Sequence, residues 1–403
     1  MTSTTTAPSA TRVAVAGLLS LAVAMGIGRF AFTPLLPVML GEHAVDLTGG
    51  SWLATANYIG YLLGALMCTA QPTLWARWRR PPIDAARCVR GGLVVTALLT
   101  AGMALPVPAL WPLLRFLAGV ASAVVFVYTS GWCLGRLAGL GKPAMGGVIY
   151  AGPGVGIAAS GLLVGAVMAA GGSSPVGWVV FAALAAALTL TVWPTVRGAA
   201  HTSAATSAAP GPFTAEKGWF VLGYGLSGFG YIITATFLPV IARETLPPTA
   251  WLNWFWPLLG FGVVVGALLA TRVPRRIDFR DALAACFVIQ AVGVVIGVWV
   301  PGVASFALGS LLVGLPFTAI SFFGMQEARR LSPAAPAGLM GLSTAVYGVG
   351  QIAGPPIAAW LIAHSGTRAQ GFAWALDAAA ASLVAGAVIQ LVLARAHPRP
   401  AGQ

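Results

Sequence analysis

The stretch VAVAGLLSLAVAMGIGRFAFTPLLPVML, residues 13–40, decides what class of protein this chain forms. It carries a single charged side chain, that of Arg29, in a run that is otherwise mostly apolar. The hydrocarbon core of a bilayer is about 30 Å thick, and a helix of about 20 apolar residues crosses it. We therefore predict a membrane-spanning helix here. Residues 1–12 are polar and predict a disordered tail, and no small-residue cleavage site follows the run, so we expect the helix to be retained.

The remainder of the chain has the same composition. Of 403 residues, 58% are apolar and only 8% are charged, whereas soluble domains carry about 25% charged residues. This excludes a soluble globular enzyme and a large extramembrane domain. A window of about 19 residues predicts twelve apolar helices. They lie at residues 13–40, 51–71, 90–106, 109–135, 144–170, 176–196, 218–241, 251–271, 282–300, 303–326, 338–363 and 370–394.

A longer polar segment divides these spans into two groups of six. Residues 197–217, RGAAHTSAATSAAPGPFTAEK, are small and polar and contain Pro and Gly, which indicates a cytoplasmic linker. We predict an N-terminal six-helix bundle at 13–196, a C-terminal bundle at 218–394 and a cytoplasmic tail at 395–403. The predicted fold class is an all-α integral membrane protein.

The basic residues lie mainly on one side of the predicted membrane. The chain has 22 Lys and Arg against 9 Asp and Glu, a net charge of +13. Eighteen basic residues fall on the side of the N-terminus, and only Arg243 and Arg368 fall on the other side. Because cytoplasmic loops collect Lys and Arg, we expect both termini in the cytoplasm and the protein in a bacterial-type inner membrane. The charge then gives no reason to expect a nucleic acid partner.

Sequence motifs for other functions are missing. The four cysteines show no CxxC pairing, so we expect no disulfide, no metal site and no cofactor. The chain has no HExxH motif, no P-loop and no paired carboxylates within the spans. These observations argue against a membrane enzyme, a sensor and an ATP-driven pump.

The two halves share an internal repeat at an offset of 202 residues. The register is constant through three pairs of spans. Gly26, Gly28, Leu36, Pro37 and Val38 align with Gly228, Gly230, Leu238, Pro239 and Val240; Trp52, Gly60, Gly64, Ala65 and Leu66 with Trp254, Gly262, Gly266, Ala267 and Leu268; and Gly146, Ala151, Gly152 and Pro153 with Gly348, Ala353, Gly354 and Pro355. A duplicated six-helix unit is typical of transporters that rock two halves about a central site.

Three stretches resemble the major facilitator superfamily of transporters. Residues 113–126, LLRFLAGVASAVVF, look like its Arg-x-x-x-Gly element, and residues 151–161, AGPGVGIAASG, resemble its Gly-Pro-x-x-Gly element associated with antiporters. Residues 26–39, GIGRFAFTPLLPVM, are similar to the first span of its YbfB/YjiJ-type branch. The resemblance implies the twelve-helix fold of that superfamily, alternating access, and a central site lined by spans one, four, seven and ten.

Two loops depart from the family pattern, which has an Asp in a Gly-x-x-x-Asp-Arg-x-Gly-Arg motif. Residues 71–80, QPTLWARWRR, carry Ala76 at the Asp position, and residues 270–279, ATRVPRRIDF, carry Thr271 there. The basic part of the motif is retained and the acid is missing. We therefore do not expect the family's cytoplasmic gate at these loops.

Two arginines within the spans are the candidate substrate ligands. An unpaired guanidinium at the middle of a span costs about 2.5–3.5 kcal/mol, so Arg29 should face the protein interior. By the resemblance, Arg29 and Arg115 both reach the central site, where a guanidinium binds a carboxylate or a similar oxoanion. The alternative is a structural arginine that binds backbone carbonyls. Further candidates, for which ordinary packing is the alternative, are Phe30, Tyr128, Tyr224 and Tyr231, the last at the repeat position of Arg29.

Two Gly-Pro sites and two acids are the candidate gating or coupling residues. Gly152, Pro153 and Gly156 lie in span five, and Gly354 and Pro355 lie at the equivalent place in span eleven. A hinge and a static kink are both consistent with these sites. Glu327 lies at the cytoplasmic end of span ten, where a salt bridge with Arg329, Arg330 or a facing loop is the alternative, and Asp377 is the only acid well inside a span.

A central site with two arginines and no carboxylate disfavours cations as substrates. We predict a secondary active transporter for a small organic anion, a monomer in the lipid bilayer, that works by proton symport or by exchange. The alternative is proton-coupled efflux of drug-like amphiphiles, which the Gly-Pro element favours and the missing acid disfavours.

Overall fold

The computed structural model describes residues 8–79, 83–198, 212–274, 277–333 and 335–398. Within these ranges the chain is helical and has no strand, as the predicted fold class requires. Residues 1–7 and 399–403 of the predicted tails, and residues 199–211 of the predicted linker, lie outside the described residues.

Twelve helices follow one another through the described residues, one for each predicted span. Eleven are long and apolar enough to cross a membrane, and α8 is a shorter apolar helix. The helices are α1 Ala10–Gly41, α2 Leu47–Arg77, α3 Ala85–Gly102, α4 Trp111–Gly139, α5 Pro143–Ala169, α6 Ser174–Val192, α7 Ala215–Thr245, α8 Phe255–Ala270, α9 Phe279–Trp299, α10 Val303–Leu331, α11 Pro336–Ala363 and α12 Arg368–Ala396. Successive helices run in alternate directions, so both described ends of the chain lie on one side of the helix bundle. We name this side the terminal side and the other side of the bundle the opposite side.

Polar caps set where several helices begin. The Asp84 carboxylate accepts hydrogen bonds from the first backbone N–H groups of α3, and Asp278 does the same for α9. An apolar window predicts starts at 90 and 282, whereas these helices begin at Ala85 and Phe279. The difference arises because the first helical turn is polar, and its N–H groups need a side-chain acceptor.

Three helices depart from regular α geometry. The middle of α1, Ala22–Phe30, is a π-helix. The first part of α5, Pro143–Ala151, is a 3-10 helix. In α10, Leu315 and Pro316 separate the segments Val303–Gly314 and Phe317–Leu331. Each departure falls on a helix that contributes to, or packs against, the centre of the molecule.

The first six helices, here named the N-terminal half, and the last six, here named the C-terminal half, meet along three seams. In the N-terminal half α4 packs against α2 and α3, and in the C-terminal half α7 packs against α11 and α12. Between the halves, α5 contacts α8, α2 contacts α11, and α1 contacts α7. The α1–α7 seam lies toward the opposite side, where Thr33 Oγ1 donates a 2.8 Å hydrogen bond to the carbonyl of Ala235. The centre of the molecule is therefore enclosed by helices from both halves.

Candidate functional site: a buried arginine between the two halves

The π-helix of α1 places carbonyl groups where other helices bind them. A π-helix bonds residue i to residue i+5 and appears often at functional sites. Here Ser122 Oγ on α4 donates to the carbonyl of Ala24 over 2.6 Å. Gly26 lies against the backbone of Gly156 on α5, at a distance that leaves no room for a Cβ. The π-helix is thus in contact with α4 on one face and with α5 on another.

The Arg115 side chain belongs to this support. Its Nη1 donates to the carbonyl of Gly28 over 3.2 Å, and its Nη2 donates to the carbonyl of Arg29 over 2.9 Å. Asn57 on α2 donates to the same Gly28 carbonyl over 3.3 Å. Arg115 therefore acts on the backbone of α1, as a structural arginine does, and positions the residue that follows Gly28.

Arg29 is that residue, and its side chain is only 3% exposed. Its Nη2 donates a 2.7 Å hydrogen bond to Oε1 of Gln351 on α11, in the other half. Its guanidinium carbon lies 4.1 Å from the ring centroid of Tyr61, 5.0 Å from that of Tyr58 and 5.1 Å from that of Phe30. Its Nε is buried and has no hydrogen-bond partner. Arg29 thus lies in an aromatic cage with one edge of its donor plane unsatisfied.

Gln351 connects Arg29 to an aromatic cluster of the C-terminal half. Its Nε2 donates to the hydroxyl of Tyr231 on α7. The Tyr231 ring stacks on Tyr347 of α11, with centroids 5.8 Å apart, and meets the edge of Phe317 of α10 at 5.0 Å. Phe317 in turn lies 5.7 Å from Phe30. The break in α10 just before Phe317 allows this contact, so rings from both halves close around one arginine.

No carboxylate neutralises Arg29. All nine acids of the chain fall within the described residues, and none of the salt bridges formed there includes Arg29. The acids lie at the helix ends of the opposite side (Glu42, Asp46, Glu244), at those of the terminal side (Asp84, Glu216, Asp278, Asp281, Glu327) and on an exposed face of α12 (Asp377). The centre of the molecule therefore carries a net positive charge.

Of the tyrosines predicted as ligands, Tyr224 lies in the aromatic cluster next to Arg29, whereas Tyr128 lies far from it. Tyr224 belongs to the cluster, because its ring centroid is 5.2 Å from that of Tyr347. Tyr128 does not, because it follows Arg115 by 13 residues on α4, which is about 20 Å along a helix. There its hydroxyl donates to Gln71 Oε1 over 3.0 Å. Tyr128 thus lies toward the terminal side, away from the arginine cage.

The Gly-Pro site of α5 marks a change of helix type. The 3-10 segment ends at Ala151, and the α-helical part begins at Gly152 with Pro153 in its first turn. A Cβ on Gly152 would collide with the carbonyl oxygen of Leu18 on α1, and one on Gly156 would collide with that of Ala22. Close backbone approach of this kind is typical of small residues at the interfaces of spanning helices.

Span eleven, unlike span five, keeps its helix type across the Gly-Pro site. The whole of α11, Pro336–Ala363, is α-helical and contains Pro355 and Pro356. Gly354 lies against Ile232 of α7, whose Cγ2 occupies the space of a Cβ. Packing against neighbouring helices allows a spanning helix to continue through Pro, because it satisfies the freed backbone groups. The two repeat-related Gly-Pro sites therefore differ in geometry.

Glu327 and Asp377 lie outside the arginine cage. Glu327 is fully buried at the terminal side, where its carboxylate accepts from Arg330 Nη2 over 2.7 Å and lies 3.6 Å from Arg280 Nε. Arg330 also pairs with Glu216 at 3.0 Å. These pairs join the ends of α7, α9 and α10 within one half. Asp377 accepts a 3.1 Å hydrogen bond from Trp299 on α9.

The sequence alone does not assign Tyr58, Tyr61, Tyr347 or Gln351 to this site. Tyr58 and Tyr61 are one helical turn apart on α2, and Tyr347 and Gln351 are one turn apart on α11. That spacing places each pair on one helix face, but it does not reveal that both faces meet Arg29. Neither helix belongs to the four that the family resemblance assigns to the central site.

The site is closed toward the opposite side and less enclosed toward the terminal side. Tyr58 is buried and its hydroxyl shares a 2.8 Å hydrogen bond with Thr236 of α7. Tyr61 and Tyr347 lie one turn nearer the terminal side and are only partly buried. The partly exposed side chains of the site therefore lie on its terminal side.

Comparisons with known proteins agree with this architecture. Curated proteins give no match. Among solved structures, the chain is similar to a point mutant of the nucleoside transporter NupG, with 15% identity, a TM-score of 0.74 and coverage of 94% of this chain and 99% of that chain. It is also similar to a bacterial homolog of the human lysosomal transporter Spinster, in an inward-facing and occupied conformation, with 13% identity, a TM-score of 0.69 and coverage of 96% and 97%. At these identities the likeness shows the fold alone.

The sequence itself identifies the family. Residues 21–391 match the family described as "Uncharacterised MFS-type transporter YbfB". This match covers nearly all twelve helices and confirms the resemblance to the major facilitator superfamily. The chain therefore belongs to this YbfB-type family of multi-pass membrane transporters, which are not enzymes.

Proposed function

We propose that this protein is a secondary active transporter of a small organic anion, with Arg29 as the principal ligand. The observation that carries the proposal is the buried, acid-free environment of Arg29. An ionised side chain within a membrane protein is normally paired or functional. Arg29 has only neutral partners, so a substrate carboxylate supplies the missing negative charge.

The geometry of the guanidinium favours an oxoanion with two oxygens in one plane. Tyr61 covers one face, so further ligands approach in the donor plane. Within that plane Nη2 binds the neutral Gln351 oxygen and Nε is unpartnered. A carboxylate that binds Nε and Nη2 together makes two charge-assisted bonds. Nη2 carries two N–H groups, and we propose that the carboxylate takes the one that Gln351 Oε1 now accepts, so that binding displaces this oxygen.

This displacement connects binding to movement. Arg29 belongs to the N-terminal half and Gln351 to the C-terminal half, so their hydrogen bond joins the two halves at the centre. When substrate replaces Gln351, one bond between the halves is lost and the halves separate more easily. The Gly152 contact between α5 and α1 supplies a surface along which the helices slide.

We further propose that the terminal side is cytoplasmic and that the protein works as a monomer in a bacterial inner membrane. The concentration of basic residues on that side supports the orientation. The substrate anion itself neutralises Arg29, so coupling needs no buried acid. A proton then crosses with the substrate, or one anion is exchanged for another.

A second candidate function is efflux of drug-like amphiphiles. The ring cluster of Phe30, Tyr231, Phe317 and Tyr347 favours it, because stacked rings bind flat apolar molecules. The nucleoside transporter NupG shares the fold, and at 15% identity this carries no substrate to the present chain. The lack of a carboxylate near Arg29 remains the argument against cationic drugs.

A thermal-shift screen of the purified full-length protein tests the proposal. Libraries of carboxylates, sulfonates and organic cations are compared, since a ligand at 100 times its Kd raises stability by about 2.7 kcal/mol. Carboxylates should raise the melting temperature of the unchanged protein and of Tyr128→Phe, and not of Arg29→Gln. A shift by cations, or one that Arg29→Gln retains, contradicts the proposal.

A further inference from the structure

A cavity lies at the surface of the N-terminal half, apart from the arginine cage. It has a volume of about 800 Å³ and lies between the start of α1 and the ends of α4 and α6, at the terminal side. The cavity opens where membrane-spanning helices reach the water interface. It is therefore accessible from the lipid headgroup region.

The wall formed by α1 changes from charged to apolar with depth. Arg12, Val15 and Leu19 all line the cavity and follow one another at nearly one-turn spacing. Arg12 and Leu19 are seven residues apart, which is about 10 Å of helix. Val192 continues the apolar wall from α6. A molecule in this cavity meets a positive charge at the interface and apolar side chains below it.

Three arginines form the rim and no acid lines the cavity. They are Arg12, Arg136 and Arg197, and none of them takes part in a salt bridge, although all nine acids lie in the described ranges. Arg136 Nη2 donates to the carbonyl of Arg197 over 2.8 Å, while its Nε is buried and has no partner. The rim thus holds three positive charges and an unsatisfied buried donor.

We propose that this cavity binds a phospholipid with an anionic headgroup. The phosphate lies among the three arginines, which bind phosphate through charge-assisted hydrogen bonds. The first part of an acyl chain lies along Val15 and Leu19. Basic pockets between spanning helices on the cytoplasmic side bind such lipids. A zwitterionic headgroup would bring a further positive charge to the arginines, so an anionic lipid is preferred.

Native mass spectrometry of the delipidated full-length protein in detergent measures this binding. The probes are phosphatidylglycerol, phosphatidylcholine with the same chains, and inorganic phosphate. Phosphatidylglycerol should bind at least about ten times more tightly than phosphatidylcholine, a difference of 1.4 kcal/mol. Equal binding of the two lipids overturns the proposal. If inorganic phosphate displaces phosphatidylglycerol at equal concentration, the site is one for small anions and the lipid assignment is wrong.

Charge-matched variants separate this cavity from general surface attraction. The triple change Arg12→Gln, Arg136→Gln and Arg197→Gln should lower affinity for phosphatidylglycerol about ten-fold or more. The control replaces three exposed arginines of the same side, Arg77, Arg272 and Arg395, by Gln and should change it less than about two-fold. Equal losses in both triple variants refute a specific site.

A fourth variant keeps every arginine and tests the lipid chain. Val15 is 46% exposed, so a larger side chain fits there without disturbing the core. Val15→Trp should fill the apolar wall and weaken phosphatidylglycerol binding while the protein remains folded. Unchanged lipid binding by Val15→Trp means that no acyl chain enters the cavity.

Discussion

Replacement of Gln351 by Leu distinguishes two roles for this residue, because it should tighten substrate binding if Gln351 competes for Arg29 and weaken binding if Gln351 is a substrate ligand. If the amide oxygen competes with substrate for Arg29, its removal should tighten binding of a carboxylate. The bond at stake joins a charged donor to a neutral acceptor over 2.7 Å, and such bonds contribute about 1.5–3 kcal/mol. At 1.4 kcal/mol for each factor of ten, affinity should rise roughly ten-fold or more.

Calorimetric titration of the purified protein with the carboxylate selected by thermal shift measures this change. Gln351→Glu should act in the other direction, because its carboxylate pairs with Arg29 and excludes the substrate. Gln290→Leu is the matched control: Gln290 is also buried, but it donates to the carbonyl of Val313 on α10. The competitor role is refuted if Gln351→Leu weakens binding as strongly as Arg29→Gln does, since Gln351 would then be a substrate ligand.

Membrane orientation, the Gly152 contact and the Glu327 ion pairs can each be measured. Reporter fusions at Gly172 should report the periplasm and those at Lys142 the cytoplasm, and the reverse pattern contradicts the proposed orientation. Gly152→Leu should slow transport more than it weakens equilibrium binding, because the new side chain collides with α1 and not with substrate; equal losses would place Gly152 in the binding site. Glu327→Gln should destabilise the protein by about 1.5–3 kcal/mol in thermal unfolding, because it weakens the charge-assisted bonds of a fully buried carboxylate while Arg330 and Arg280 keep Glu216 and Asp278 as partners, whereas exposed Asp281→Asn should not; equal effects contradict a structural role for the ion pairs.

The number and order of the helices could be predicted because lipid imposes a local rule. Each spanning segment satisfies its own backbone, so an apolar run of sufficient length is a helix whatever its neighbours are. Predictions from the sequence fail where contacts with neighbouring helices determine the local helix geometry. The π-helix of α1 depends on Ser122 and Arg115, which reach its carbonyls from α4. The continuity of α11 through Pro355 depends on packing against α7.

The candidate site could be predicted in part for the same reason. Arg29 stands out because a charge in a span is costly, and the repeat aligns it with Tyr231, which shares Gln351 as a hydrogen-bond partner. The residue that joins them, Gln351, is 322 positions from Arg29. Glutamine in a span usually binds another helix, and only the folded chain shows which one. The different roles of Arg115 and Arg29 likewise depend on the folded chain. The Arg115 guanidinium binds backbone carbonyls of α1, whereas that of Arg29 binds the side chain of Gln351.

Uptake of the selected carboxylate into proteoliposomes by the unchanged protein, Arg29→Lys and Arg29→Gln tests the central claim most directly. Loss of one partner of a buried charge pair costs about 2–5 kcal/mol, so Arg29→Gln should lower affinity at least about thirty-fold and nearly abolish uptake. Arg29→Lys keeps the charge but loses the planar pair of donors, so its uptake should lie between that of the unchanged protein and that of Arg29→Gln. Both variants must be folded and inserted, as shown by unchanged thermal unfolding without substrate. Near-normal uptake by folded Arg29→Gln would contradict the assignment of Arg29 as the anion ligand.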